Sequence, residues 1–233
     1  YALSGKLLGK EAVDQKNRIL LEKESADYLL RQEMPFRETY AHYIRGLLGK
    51  DGAITEKTVA TRSPLSSTHL GYVPQVLGVT LGRLLHLNGV QIFFLGRLFA
   101  LFWYCVVMWF AFKIILEFAK NILFLVGSFP MTLQMVASYN YDSVLLGACF
   151  LLTAYLLYLA YDEKKEKITG KDIVVVGILL FVIVPIKFVY LPLLGIGLLI
   201  PKEKFGGIRQ KVIFGGGMLG IGVAAMLLTK LPK

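Results

Sequence analysis

From Ile92 onward the chain alternates long apolar runs with short polar joints. Residues 92–112, 121–137, 144–161 and 212–228 are each long enough, at 1.5 Å per residue, to cross most or all of a ~30 Å hydrocarbon layer. Each predicts a membrane helix, the second kinked at Pro130, with Lys113, Glu117 and Lys120 forming the joint after the first. Residues 173–200 are longer still, and Pro185, Lys187 and Pro192 interrupt them. Either this run is one tilted helix or it is two short helices that turn near Lys187. The flanking loops are both basic (Lys164, Lys165, Lys167 and Lys171; then Lys202, Lys204, Arg209 and Lys211). Because basic loops favour the cytoplasm, the hairpin, which puts both on one side, is the preferred reading. Short helices are tolerated where their turn lines a cavity within the protein. The glycines of the last run, Gly215, Gly216, Gly217, Gly220 and Gly222, predict close helix packing.

Upstream the pattern changes. Residues 74–87 are apolar but carry Arg83, and at roughly 21 Å they fall short of a crossing. Leu77, Leu81, Leu84 and Leu85 share one face, so this predicts a juxtamembrane helix lying along the interface. Residues 12–31 show a modest amphipathic pattern (Ile19, Leu20, Leu29, Leu30), residues 37–48 a second short helix ending near Gly49, and residues 55–69 a loop rich in Thr and Ser. The expected fold is all-α: a polytopic α-helical membrane protein. Residues 1–91 form an extracytoplasmic helical loop, and residues 92–233 a domain of about six membrane helices, two of them short.

Composition agrees. Of 233 residues 55 % are hydrophobic and the mean hydropathy is +0.59, too apolar for a soluble domain of this length. The chain starts at Tyr1 without a signal-peptide pattern, which predicts a fragment of a longer protein. Residues 1–72 hold 11 Lys/Arg and 9 Asp/Glu, while residues 73–233 hold 15 and 7, so the basic excess lies beside the apolar runs. No basic residues interleave with aromatics on a soluble segment, so nucleic acid is not an expected partner. Cys105 and Cys149 both lie in apolar runs and read as small packing residues.

The polar stretch Ser138-Tyr139-Asn140-Tyr141-Asp142-Ser143 separates two apolar runs, and Asp142 is the only acid between Glu117 and Asp162. A carboxylate so close to a bilayer is either functional or the N-cap of a helix starting at Ser143. Counting crossings with residues 1–91 outside puts Asp142, Lys187 and Tyr190 on the outer face. Lys187, at a helix break, either snorkels to the interface or binds an anion. Arg97 and Arg83 have the same pair of readings, interfacial anchor or phosphate ligand. Tyr139, Tyr141 and Tyr190 either stack on a sugar or sit in an interfacial aromatic belt. His42, His69 and His86 lack metal-ligand spacing, and there is no Walker loop or dinucleotide fingerprint.

Tyr72-Val73-Pro74-Gln75, Leu81-Gly82-Arg83-Leu84, Leu95-Gly96-Arg97-Leu98, the Ser138–Asp142 stretch and Lys187-Phe188-Val189-Tyr190-Leu191-Pro192 together resemble a bacterial family of predicted polytopic membrane proteins of undefined function, related to the GT-C glycosyltransferases. The resemblance spans about residues 72–201. It implies a GT-C-like enzyme of the bacterial cytoplasmic membrane, active on its extracytoplasmic face. Such an enzyme transfers sugar from a polyprenyl-phosphate donor to a glycan or glycolipid acceptor in cell-envelope polysaccharide synthesis. It implies a principal acidic residue just after a first membrane helix, expected upstream of Tyr1, and a second acidic residue after the outward third helix, the place of Asp142. Asp142 would then bind a divalent metal or orient an acceptor hydroxyl. Lys187, Tyr190, Arg97, Arg83, Tyr139 and Tyr141 would serve the substrate. The rival expectation is a non-enzymatic transporter or scaffold for lipid-linked glycans, for which inverted repeats would speak, and none is visible.

Overall fold

The computed structural model describes residues 18–22, 44, 47–49, 57–61 and 69–230. They belong to two packing units, one of residues 1–66 and 73–100, the other of residues 67–72 and 101–233. From Val73 on, every regular element of the described chain is a helix, as expected.

In the first unit, β1 (Arg18–Glu22) pairs antiparallel with β2 (Lys57–Thr61), Leu20 opposite Val59. This corrects two expectations, the amphipathic helix over 12–31 and the loop over 55–69. The helical pattern rested on two apolar pairs ten residues apart, whereas Ile19-Leu20-Leu21 and Thr58-Val59-Ala60-Thr61 are short runs that suit a ladder. The expected helix over 37–48 lies mostly outside the described residues; Ile44, Leu47 and Leu48 are helical. Helix α1 (Val73–Leu84) is 12 residues, roughly 18 Å long. Its Leu77, Leu81 and Leu84, with Leu85 just beyond, are exposed. Its opposite face meets α2 (Gly89–Ile114) through glycines. A Cβ on Gly78 would lie 2.8 Å from the Gly96 Cα, and one on Gly82 would lie 2.9 Å from Ile92 Cγ1. Gly82 and Gly96 are the glycines of the two Leu-Gly-Arg-Leu repeats, so those repeats mark a helix crossing in which backbones touch.

The start of α2 is held by a reciprocal cap. The Gln91 N–H donates to Asn88 Oδ1 (2.9 Å), and the Asn88 N–H donates to Gln91 Oε1 (3.2 Å). Gln91 Nε2 also donates to the Leu47 carbonyl at 3.0 Å, tying residues 47–49 to this helix end. At 26 residues, about 39 Å, α2 is one of two described helices long and apolar enough to cross a membrane. The other is α5 (Asp142–Tyr161).

The second unit is built on α5, whose Leu145, Leu152, Leu156 and Leu159 are fully buried. Helix α6 (Gly170–Ile186) runs back along it. A 3-10 arm, Phe188–Leu199, then returns from Lys187, whose extended backbone (φ −154°, ψ 101°) makes the turn. The two arms match in reach: 17 α residues rise about 25 Å, and 12 residues of 3-10 helix about 24 Å. So long a 3-10 run is unusual, and Pro192, Gly195 and Gly197 weaken its α alternative. At the far end the Ile168 N–H donates to the Lys204 carbonyl (2.9 Å), and Lys204 Nζ donates to the carbonyls of Leu159 (3.0 Å) and Asp162 (2.8 Å). The two basic loops therefore meet at one end, the geometry of a hairpin and not of one long helix.

Two expectations for this unit change. Residues 121–137 are not one helix but α3 (Glu117–Gly127) and α4 (Pro130–Val136), separated at Ser128 and Phe129. Pro130 occupies the first position of α4, where its missing N–H costs nothing. Tyr104 of α2 donates its hydroxyl to the freed Gly127 carbonyl at 2.9 Å, and a Cβ on Gly127 would run into Met108 Cε. Of the glycines in α7 (Ile208–Lys230) named above, only Gly222 is a close contact, 2.9 Å from a Leu191 methyl, while the other four face open space. The helix enters after Gly206, whose φ of +78° ends the 3-10 turn Lys202–Phe205 in a left-handed conformation that favours glycine. Cys149 packs in the core, but Cys105 is exposed on α2.

The outer surface carries large apolar side chains in numbers a soluble protein avoids. Phe102, Trp109, Phe118, Phe124, Val174, Leu198 and Val212 are all exposed. With lipid outside, packing and satisfied backbone groups hold the helices together more than transfer from water does.

Candidate functional site

The turn between α4 and α5 builds one end of the second unit. Asn140 Oδ1 accepts the N–H of Asp142 at 2.8 Å, and the Leu145 N–H closes the first helical bond onto the Tyr141 carbonyl (3.1 Å). Asn140 thus closes a tight turn ahead of the N-cap Tyr141, and Asp142 is the first residue inside the helix, not the N-cap before Ser143. Released from capping, the Asp142 side chain is still 9 % exposed, and among the described residues its carboxylate makes no hydrogen bond or ion pair. It lies in the first turn of a 20-residue helix, where the helix dipole favours an anion.

Lys187 is close enough for its charge to act on the Asp142 carboxylate. Lys187 is exposed and places its Nζ 5.4 Å from the centroid of the Tyr141 ring. Tyr141 is thus the hub, carrying the carboxylate on the next residue and the ammonium over its face. Tyr72 meets the same ring edge-on, centroids 6.2 Å apart at 87°. The 3-10 helix His69–Tyr72 fits against this hub only because Gly71 lacks a side chain, since a Cβ there would collide with that of Tyr141 and lie 3.5 Å from Ile186 Cδ1.

The other expected residues are placed less tightly. Tyr190 lies in the first turn of the 3-10 arm, its N–H donating to the Lys187 carbonyl (3.2 Å) and its ring half-buried against the core. Tyr139 is half-buried in the turn before Asp142. Arg83 and Arg97 belong to the first unit. Arg97 sets its guanidinium 5.9 and 5.7 Å from the rings of Phe93 and Phe94 on its own helix, which is how an arginine rests on an apolar helix face. Gly71, Tyr72 and Asn140 were not expected at the site. Tyr72 and Asn140 stand in the quoted motifs, but nothing in their spacing along the chain shows that they flank the same tyrosine.

Among the described residues the donor set does not fit a resident divalent metal. Asp142 is a single carboxylate beside an ammonium, and among the described residues no three of His, Cys, Asp and Glu gather as ligands. What the arrangement offers is an exposed cation for a phosphate oxygen, a poorly solvated carboxylate that can take or orient a hydroxyl proton, and aromatic faces between them.

A family model described as "Predicted membrane protein (DUF2142)" matches residues 45–232. No curated protein and no solved structure matches the chain.

Proposed function

We propose, from the premise that the chain belongs to the DUF2142 family of predicted membrane proteins, that it is a membrane glycosyltransferase of the GT-C kind. It takes a sugar from a polyprenyl-phosphate donor and passes it to a glycan or glycolipid of the bacterial cell envelope. The observation that carries this reading is the arrangement of Asp142, Tyr141 and Lys187 at one end of the α5–α6 pair. Beside Lys187, Phe188 and Val189 are 45 % and 70 % exposed, so the cation stands at the edge of a lipid-facing surface. That suits a phosphate whose tail stays in the bilayer. In this role Lys187 stabilises the departing phosphate charge, Asp142 orients or deprotonates the acceptor hydroxyl, and Tyr141 and Tyr72 flank the sugar.

The site faces the extracytoplasmic side of the cytoplasmic membrane in this proposal, because the basic loops joined through Lys204 prefer the cytoplasm. A cysteine at 165 labelled from outside in intact cells by an impermeant reagent would refute that orientation. For the chemistry, sugar transfer by the purified full-length protein is the test. Lys187→Ala is expected to raise KM for the donor, and Asp142→Asn to lower kcat. Wild-type transfer by both variants overturns the assignment. One observation favours a second reading, a transporter of lipid-linked glycans: the α3–α4 break and the Lys187 turn are two interrupted segments in one unit. Movement of donor lipid across vesicles without sugar transfer would select it.

A further inference from the structure

The opposite end of the second unit holds a cavity of about 770 Å³ that neither reading uses. The end of α2, the start of α3, the end of α5, the loop before α6 and the first turn of α6 line it, with five lysines (Lys113, Lys120, Lys164, Lys165 and Lys171) against three acids. The acids are already engaged. Glu117 pairs with Lys120 at 2.6 Å, Asp172 with Lys165 at 2.9 Å, and the Asp162 carboxylate accepts the Lys164 N–H at 2.7 Å. That leaves three ammonium groups. Lys113 lies 3.7 Å from the Trp109 ring centroid, and among the described residues Lys164 and Lys171 have no side-chain partner. The Asp162 carboxylate, bonded only to a backbone N–H, still faces them, but cations that outnumber the protein anions around a cavity are a site for an anion of another molecule.

The rim identifies the kind of anion. Trp109, Phe110, Phe118 and Tyr161 are about half exposed or more at this end, with Phe118 edge-on to Tyr161. Ile114, Ile115 and Leu116 continue that apolar surface into the cavity wall. A ligand that satisfies both parts is amphiphilic, with a phosphate in the cavity and acyl chains along the aromatic surface. We propose that this cavity binds the headgroup of an anionic membrane phospholipid, clamping the α2–α3 joint to the α5–α6 loop. This does not rest on the glycosyltransferase reading.

The test uses delipidated full-length protein and three probes: phosphatidylglycerol, phosphatidylcholine with the same acyl chains, and inorganic phosphate. Native mass spectrometry reads bound lipid, and thermal unfolding reads stabilisation. Phosphatidylglycerol is expected to be retained at least ~10-fold better than phosphatidylcholine. Lys164→Gln and Lys171→Gln remove side chains that hold nothing in the fold, and each should weaken that binding about fivefold. Adding Lys113→Gln should bring the loss to on the order of 100-fold. Lys202→Gln and Arg209→Gln, exposed basic residues outside this cavity, should leave it unchanged. Equal retention of the two lipids overturns the proposal, as does equal weakening by the two control substitutions. Stabilisation by inorganic phosphate matching that by phosphatidylglycerol would make the ligand a soluble anion and overturn it as well.

Discussion

Asp142 and Asp172 are both aspartates in the first turn of a helix, both almost buried, at opposite ends of the same helix pair. Their surroundings differ completely. Asp172 is saturated. It accepts the Tyr155 hydroxyl (2.7 Å), the Thr169 N–H (2.7 Å), the Thr169 hydroxyl (2.8 Å) and the Lys165 ammonium (2.9 Å). With Thr169 it forms a capping box that starts α6. Burial works to raise its pKa, but those hydrogen bonds outweigh burial and bring it down from 3.8 to about 2. Asp142 has the burial without the bonds. A saturated carboxylate has no capacity left for a ligand and is a fastener. One that is mostly buried, with no bond from the described residues, keeps its capacity for a ligand.

The widest separation between the two should appear when each is made an amide. Asp142→Asn keeps shape and removes a charge that no described hydrogen bond holds, so thermal unfolding should stay at the wild-type value or rise. If the proposed function holds, sugar transfer should fall on the order of 100-fold. Asp172→Asn should do the reverse, unfolding earlier while transfer per folded molecule stays the same. Loss of stability without loss of transfer at Asp142 would erase the distinction between them.

The Asp172 effect has a size and a pH dependence. A pKa lowered from 3.8 to about 2 corresponds to about 2 kcal/mol of stability at neutral pH. A carboxyl held below its ordinary value contributes that stability in full above about pH 4 and loses it as the pH falls through about 2. Urea titrations of wild type and Asp172→Asn at pH 7 and near pH 2 should therefore differ at the first and converge at the second. A gap of the same size at both would mean that packing, and not charge, makes the difference.

How much of this contrast the sequence carried depends on the length of chain each feature needs. The basic loops around residues 173–200 announce the hairpin because charge asymmetry is written in the chain itself, whereas the Thr169–Asp172 cap was not among the expectations although its partners are three residues apart. The membrane helices of 92–112 and 144–161 were legible for the same reason, since twenty apolar residues in a row leave one structure available. Features that need a distant partner were not. The β1–β2 ladder joins residues about forty apart, and neither strand has a pattern strong enough alone. The break at Ser128 looked like a kink because the donor that makes it tolerable, the Tyr104 hydroxyl, lies on another helix. Asp142 was recognisable as unusual from its solitude among apolar residues, but Tyr72 and Gly71 at Tyr141, and Lys187 over the same ring, are facts of packing.

A smaller effect should come from Lys204, which serves the Asp172 end from a distance. Its ammonium donates to the carbonyls of Leu159 and Asp162, two of the acceptors left over at the end of α5. Lys204→Met keeps much of the side-chain length and leaves both carbonyls without this donor, at a cost of about 1.5 kcal/mol. Amide exchange should accelerate in residues 162–169, whose Ile168 N–H is bonded to the same lysine's carbonyl, and stay unchanged around Asn140. Acceleration at both ends would show that the two carboxylate environments are not independent.

The finest test is Tyr155→Phe. It removes one oxygen, the donor of the 2.7 Å bond to Asp172, and leaves the ring in place between α5 and α6. Asp172 keeps its three bonds from Thr169 and Lys165, so it remains partnered and the loss should be about 1 kcal/mol, less than for Asp172→Asn. With one stabilising donor gone, the Asp172 pKa should move up from about 2 towards its ordinary value, and the acid loss of stability should begin at higher pH than in the wild type. Combining the two substitutions sharpens this. If the hydroxyl acts through the carboxylate, Tyr155→Phe should have less effect on Asp172→Asn than on wild type, a coupling that a double-mutant cycle on unfolding free energy reads directly. Full additivity would mean that the tyrosine stabilises the helix pair by packing alone, and the hydroxyl would then drop out of the account of why Asp172 is held so far from its ordinary pKa.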